Sequence, residues 1–167
     1  MKKILPFILL SLALTSCGED LKFNNEAVFQ GLVDNVFWRG GNAKATVDAN
    51  NKMVIEAVTF TDHATLEMPV PATPIDPKNE NTFVTYSLGT SNTKRAFYTI
   101  TIGDQVLNYE TATGVGDGEI VISEYDGATV SGRFRFNAKN TDPDSDGNET
   151  LNMQSGVFYK VPIFQAL

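Results

Sequence analysis

The sequence predicts an all-β domain, either an antiparallel β-sandwich or a lipocalin-like barrel of about eight to ten strands. Three observations predict it. Apolar residues recur at every second position through most of the chain after residue 28, the period of a half-buried strand. Turn residues punctuate that pattern about every dozen positions. No stretch beyond residue 28 pairs apolar spacing of three and four with helix caps.

Taken in order, Ala43, Ala45, Val47 and Ala49 alternate with Lys44, Thr46 and Asp48. Asn50-Asn51 then signals a turn, and Met53, Ile55 and Ala57 resume the period, so a hairpin is expected. Leu66, Met68 and Val70 alternate next and run into Pro69, Pro71, Pro74 and Pro77. Proline cannot donate to a ladder, which predicts an edge strand followed by a long loop over 71–81. Val84, Tyr86 and Leu88 form the next strand, closed by Gly89. Tyr98, Ile100 and Ile102 follow, closed by Gly103-Asp104. Leu107 and Tyr109 begin a weaker strand before the glycine-rich stretch Gly114 to Gly118. Ile120-Val121-Ile122 is a short apolar strand, and Asp126-Gly127 is the strongest hairpin signal in the chain. Val130, Gly132, Phe134, Phe136 and Ala138 then share one face, with Ser131, Arg133, Arg135, Asn137 and Lys139 on the other. A final strand is expected from about Gly156 to Ile163.

The first residues carry an address. Met1-Lys2-Lys3 precede an apolar stretch from Ile4 to Leu14 and the small residues Thr15-Ser16, the layout of a signal peptide. That stretch is too short for a membrane span, which needs about 20 residues. Leu14-Thr15-Ser16-Cys17 resembles the lipobox of bacterial lipoproteins, which implies cleavage before Cys17 and acylation of its thiol. Cys17 is the single cysteine of the chain, so no disulfide partner competes for it. Each buried methylene of an acyl chain contributes about 0.8 kcal/mol, and two or more chains hold a protein on a bilayer stably. Gly18-Glu19-Asp20 resembles the acidic export tag of surface lipoproteins in the Bacteroidota, although Gly18 stands where that pattern has serine or lysine. The expected division is a signal peptide over 1–16, the lipidated cysteine and an acidic tether over 17–27, and the all-β domain over 28–167. The expected location is the outer membrane, lipid-anchored and facing the cell surface, with its periplasmic face as the alternative.

Four segments of the domain carry a wider resemblance: Val33-Asp34-Asn35-Val36-Phe37-Trp38, Gly118 to Asp126, Val130 to Ala138, and Ser155-Gly156-Val157-Phe158. In order and spacing they resemble a family of small flavobacterial-type lipoproteins of unknown function. The resemblance runs from about Phe29 to Ile163. It implies an all-β fold and a surface or periplasmic location, and brings no catalytic residue. Lipocalins match in length, yet Val36 stands where they carry a glycine two residues before the first-strand tryptophan.

Composition narrows the chemistry. Removing residues 1–16 leaves 151 residues with 11 basic and 20 acidic side chains, a net charge of −9. A chain of that length folds as one domain and buries roughly 68–70% of its unfolded surface. The acidic balance argues against nucleic acid, whose phosphates need clustered lysine and arginine, and against adsorption to anionic lipid. The membrane partner is therefore reached through the anchor.

Asp142-Pro143-Asp144-Ser145-Asp146-Gly147-Asn148-Glu149 spaces its acids like the first half of a calcium loop. Asp142, Asp144, Asp146, the Asn148 carbonyl and Glu149 are the candidate ligands for a structural calcium, the one cofactor the sequence offers. The bidentate acid that such loops carry at position twelve is replaced by Met153. The competing expectation is a solvated hairpin loop. His63 is the single histidine and is expected on the surface or in a loop. Nothing near any serine resembles a nucleophile elbow. Glu119 and Glu124 are separated by an odd number of residues, which in one unbroken strand places them on opposite faces and weakens them as a hydrolytic pair.

Aromatics offer more. Phe29, Phe37, Trp38, Phe97, Tyr98, Tyr109, Tyr125, Phe158 and Tyr159 sit on strands or strand ends, and the neighbours Phe37-Trp38 and Phe158-Tyr159 point to opposite faces. Trp38, Tyr98 and Tyr125 are the candidate ligand-binding residues, through stacking on sugar rings. Arg133, Arg135 and Lys139 make a basic stripe that could meet an anionic partner unless cross-strand acids neutralise it. The function expected is a non-enzymatic, membrane-anchored binding module for a protein partner or a glycan. A barrel that carries an apolar small molecule or lipid is the alternative.

Overall fold

Asp34 and Asn35 form the first turn, and both adopt positive φ, 48° and 68°. That backbone matches the right-handed twist of the strands it joins. It links β1 (Val28–Val33) to β2 (Val36–Val47), with Leu32 opposite Phe37 and Gly31 opposite Trp38. The computed structural model describes residues 27–166. Cys17, the lipobox and the acidic stretch after it lie outside the described residues.

Eight further strands follow: β3 (Lys52–Val58), β4 (Asp62–Pro69), β5 (Val84–Leu88), β6 (Arg95–Ile102), β7 (Gln105–Glu110), β8 (Asp117–Tyr125), β9 (Thr129–Asn140) and β10 (Thr150–Gln165). The fold is all-β, as the alternation predicts. Pairing runs from β2 through β3, β4, β6, β7, β9 and β10 and then returns to β2. The sheet therefore closes on itself as a barrel. β1 is wedged between β10 and β2, and below it β10 meets β2 directly, in parallel, with Ile163 opposite Ala45. β8 runs along β9 where β7 leaves it, and β5 pairs with β8 alone.

The expected turns form where the sequence places them: Asn50-Asn51 joins β2 to β3, Gly103-Asp104 joins β6 to β7, and Asp126-Gly127 joins β8 to β9. Asp126 Oδ1 accepts the backbone N–H groups of Thr129 (2.7 Å) and Ala128 (2.8 Å). Those bonds favour the ionised carboxylate and hold its pKa below the ordinary value.

Two expectations are corrected. β4 is no edge strand, because β3 pairs on one side and β6 on the other. Pro69 is its last residue and lies beyond the final β6 partner, Glu67 opposite Arg95, so its missing donor costs that ladder nothing. The edge strand is β5. The last strand also begins earlier than expected. β10 is one strand of 16 residues that absorbs two bulges, one between Met153 and Gly156 and one between Phe158 and Val161. Ser155 and Lys160 take the left-handed φ values of 50° and 48° that those bulges require.

The interior is packed with the protein's own rings. Phe134 lies 4.8 Å from Phe29 and 6.2 Å from Phe158, centroid to centroid. Trp38 meets Phe29 at 5.9 Å and Tyr98 at 5.7 Å, both edge-on, the geometry aromatic quadrupoles favour. Glycine makes this packing fit. A methyl on Gly156 would sit 2.6 Å from the Phe134 ring, and one on Gly132 would sit 2.5 Å from that of Phe158.

Candidate functional site

Trp38 and Tyr98 are core residues, 7% and 1% exposed. They offer no face to a ligand, which corrects the expectation placed on them. The Trp38 indole N–H donates to Asp62 Oδ2 at 3.1 Å. Burial, with the Asp62 carboxylate second, pushes the Tyr98 hydroxyl's pKa well above its ordinary value. Tyr125 is half-buried at the end of β8, where its backbone bridges to Ile75. The structure does not bring these three together as an exposed strip.

The acidic loop folds as a turn held by bonds between its own side chains and backbone. Asp142 Oδ1 accepts the Asp144 N–H at 3.1 Å, and the Asp142 carbonyl accepts the Ser145 hydroxyl at 2.8 Å. Asn140 Nδ2 donates to the Asn148 carbonyl at 3.3 Å. Glu149 turns away to Lys139, 2.9 Å from its Nζ, and that hydrogen bond lowers its pKa. Among the described residues, no group of three acid, histidine or cysteine side chains gathers as a metal site. Met153 is fully buried in the core.

His63 lies on β4 rather than in a loop. Its Nε2 is 3.0 Å from Glu56 Oε2, on the outer face of the barrel. Glu119 and Glu124 are also corrected. β8 bulges between Ile122 and Glu124, so it is not one unbroken strand and both acids face outward. Glu119 pairs with Arg135 and Glu124 with Ser131. Those partners are four residues apart on β9, about 13 Å at strand rise, too far for a hydrolytic carboxylate pair.

The outer wall over β8, β9, β10, β1 and β2 carries the richest constellation. Phe37 faces Leu32, Leu32 faces Gln154, and Arg135 faces Glu119 across neighbouring strands. The β10 bulge, Gln154-Ser155, lies level with Arg135, because Met153 pairs with Phe136 and Gly156 with Phe134. A single row thus crosses five strands from an exposed phenyl ring to an ion pair, with Arg135 Nε 3.0 Å from Glu119 Oε1. Phe37 is 64% exposed.

Beside this row runs a chain of planar amides. Asn137 Nδ2 donates to Asp117 Oδ1 at 2.8 Å, and Asn152 Nδ2 donates to Asn137 Oδ1 at 2.6 Å. Gln154 Nε2 donates to Asn152 Oδ1. The next row holds Arg39, Gln30, Val157 and Arg133 in cross-strand register. Beyond it Tyr159, 44% exposed, faces Val28. Three clefts of about 350, 330 and 240 Å³ meet at Ser155, where the bulge lifts β10 out of its ladder.

The opposite wall differs. Lys44 lies 3.0 Å from Glu56, Lys52 3.2 Å from Glu67, and Arg95 2.6 Å from Glu110. Burial alone would raise the Glu56 pKa, but Lys44 and His63 outweigh it and the net shift is downward. A larger cleft, about 540 Å³, lies at the end of this wall between Asp48, Lys52, Glu67 and Arg95. Lys52 pairs with Glu67 inside it, Arg95 is held by Glu110 outside it, and Asp48 Oδ1 accepts the N–H groups of Asn50 and Lys52.

Fold and face together define the class: a small closed all-β barrel, filled inside, with an aromatic and amide-rich row on its outer wall. The model of a domain of unknown function, DUF6252, matches residues 25–162, and the chain belongs to that family. No curated protein and no solved structure gives a significant match.

Of the neighbours Phe37-Trp38, the one that faces solvent is Phe37 and the buried one is Trp38. The signal was present in Asp34-Asn35: a two-residue turn there sets Gly31 opposite Trp38, and a glycine facing a tryptophan marks the crowded inner side. The amide chain left no local signature, since its amides come from two strands, β9 and β10, and the acid that ends it from a third, β8.

Proposed function

We propose that this protein is a membrane-anchored, non-enzymatic module that binds an extended glycan across the outer wall of its barrel. The row from Phe37 to Glu119, flanked by the amides of Asn137, Asn152 and Gln154, carries the reading. Sugar rings present an apolar face that stacks on an exposed aromatic, and hydroxyls that pair with planar amides and carboxylates. The clefts at Ser155 are open along the row, which suits a chain better than a compact molecule. Carriage of an apolar ligand has less support, because the volume it needs is filled by Phe29, Phe134, Phe136 and Phe158.

The anchor belongs to the same proposal. The lipobox-like Leu14–Cys17 sequence would tether the barrel through residues 18–27, which span at most about 35 Å. Metabolic labelling with palmitate should mark the full chain and fail to mark Cys17→Ala.

The function itself is tested by screening the full chain, purified in detergent, against immobilised glycans. Phe37→Ala should weaken the binding found by about tenfold or more, the loss of a central anchor, while Phe60→Ala leaves it unchanged. A blank screen, or unchanged binding by Phe37→Ala, contradicts the reading. A protein partner is the second reading, favoured by Phe60. This residue is fully exposed on the β3–β4 turn, and that turn is tied to the β6–β7 hairpin by the bond from Thr101 N–H to the Thr61 carbonyl, 2.8 Å. Ile102 and Val106 stand exposed beside it.

A further inference from the structure

We infer that the glycan taken by this wall is anionic, a polymer bearing carboxylates or sulfates, and that Arg39 and Arg133 are the residues that select it. The inference rests on the glycan reading above and deepens it.

The protein is acidic, with 20 acidic against 13 basic residues, so an unanswered cation on it is unexpected. Ion pairs among the described residues engage Lys44, Lys52, Arg95, Arg135 and Lys139. Five cations there have no acidic partner: Arg39, Lys78, Lys94, Arg133 and Lys160. Arg39, Arg133 and Lys160 are all carried by the three strands around the groove, β2, β9 and β10.

Of the acids of the same wall, Glu119 is paired with a cation, while Asp117 and Glu124 accept from neutral groups and keep their charge. Asp117 accepts from Asn137, Glu119 from Arg135 and Glu124 from the Ser131 hydroxyl. With the Arg135–Glu119 and Lys139–Glu149 pairs cancelled, Arg39, Arg133 and Lys160 exceed Asp117 and Glu124 by one charge, so the strands of this wall carry a small positive excess on a chain whose net charge is −7. Arg39 and Arg133 stand in one cross-strand row, separated by Gln30 and Val157. Three strand spacings put their backbones about 14 Å apart. Charges spread along a row suit a polymer with repeating charges better than one small anion. Between them Val157 is exposed, and in the row beyond Tyr159 is exposed too, with Lys160 Nζ 5.5 Å from its ring centre. A guanidinium meets a carboxylate or sulfate with two parallel hydrogen bonds, which gives orientation as well as attraction.

The test is binding of the full chain in detergent to polygalacturonate, to dextran sulfate and to neutral dextran, as a function of salt. Binding to one or both polyanions, absent on neutral dextran, is expected, and the two polyanions tell carboxylate from sulfate recognition. Arg39→Gln with Arg133→Gln should weaken it at least tenfold with an unchanged thermal midpoint. Lys78→Gln with Lys94→Gln, the same charge change made in the loops, should alter it less than twofold. Equal losses in the two double variants mean general charge attraction and overturn the inference. Equal binding of neutral dextran, indifferent to the arginine variants, overturns it too while sustaining the glycan reading. No binding to any glycan in this set or a broader screen overturns both.

Discussion

Each side chain in this barrel answers to its immediate neighbours before it answers to function. Trp38 is the single tryptophan, and such a residue invites a binding role, yet its indole N–H is satisfied by Asp62 and its ring by Phe29 and Tyr98. Phe37, one residue earlier, has no such partners and faces water. Asp126 shows the same local logic in its titration. Its pKa is held below the ordinary 3.8 by N–H donors in the folded turn. A lowered folded pKa means the stability it adds is full above the unfolded value and is lost as pH falls through the folded one. Asp126→Asn keeps an oxygen acceptor but cannot titrate. Its thermal midpoint should therefore fall less steeply than that of the wild type between pH 5 and 2, as read by circular dichroism (about one to two units either side of a carboxylate pKa). Parallel slopes would show that the turn does not couple to this proton.

At the level of strands, the bulges of β10 give the outer wall its relief. Ser155 sits at φ 50°, a conformation that costs an L-residue roughly 1–2 kcal/mol. Ser155→Gly should therefore raise stability by up to about 1 kcal/mol in urea, after the entropy glycine loses on folding. A drop would mean that the hydroxyl, rather than the backbone, holds the bulge. Bulges also set the limit of what the sequence made legible. β9 was readable because Val130, Gly132, Phe134, Phe136 and Ala138 alternate without interruption. β8 was not, because one extra residue before Glu124 turns it to the same face as Glu119, and alternation assumes no such insertion. The β4 prediction failed through Pro69, whose effect depends on whether a neighbour reaches that far along the strand. Hairpin turns are local and were legible. The β10–β2 closure, between residues far apart in sequence, was not.

For the molecule as a whole, closure and filling decide where it can act. A ring of strands with Phe134 at the centre of its aromatic cluster is filled at that level, and the outer walls are what it presents to solvent. One wall is neutralised by Lys44–Glu56–His63 and Lys52–Glu67. The other combines an exposed ring, a chain of amides and arginines that have no acidic partner among the described residues, around a bulge. Two of these features were half-visible in the sequence, the exposed ring as one member of Phe37-Trp38 and the arginines as the stripe Arg133, Arg135 and Lys139. Cross-strand acids neutralise two of its members and leave Arg133. The most direct test of the central claim is an amide NMR titration of the full chain in detergent with polygalacturonate oligomers. Shift changes confined to residues 30–39, 133–137 and 152–160 are expected. Changes centred instead on Phe29, Tyr98 and Phe136 would mean that the interior opens to a ligand, and changes centred on Phe60, Ile102 and Val106 would move the site to the hairpin tips.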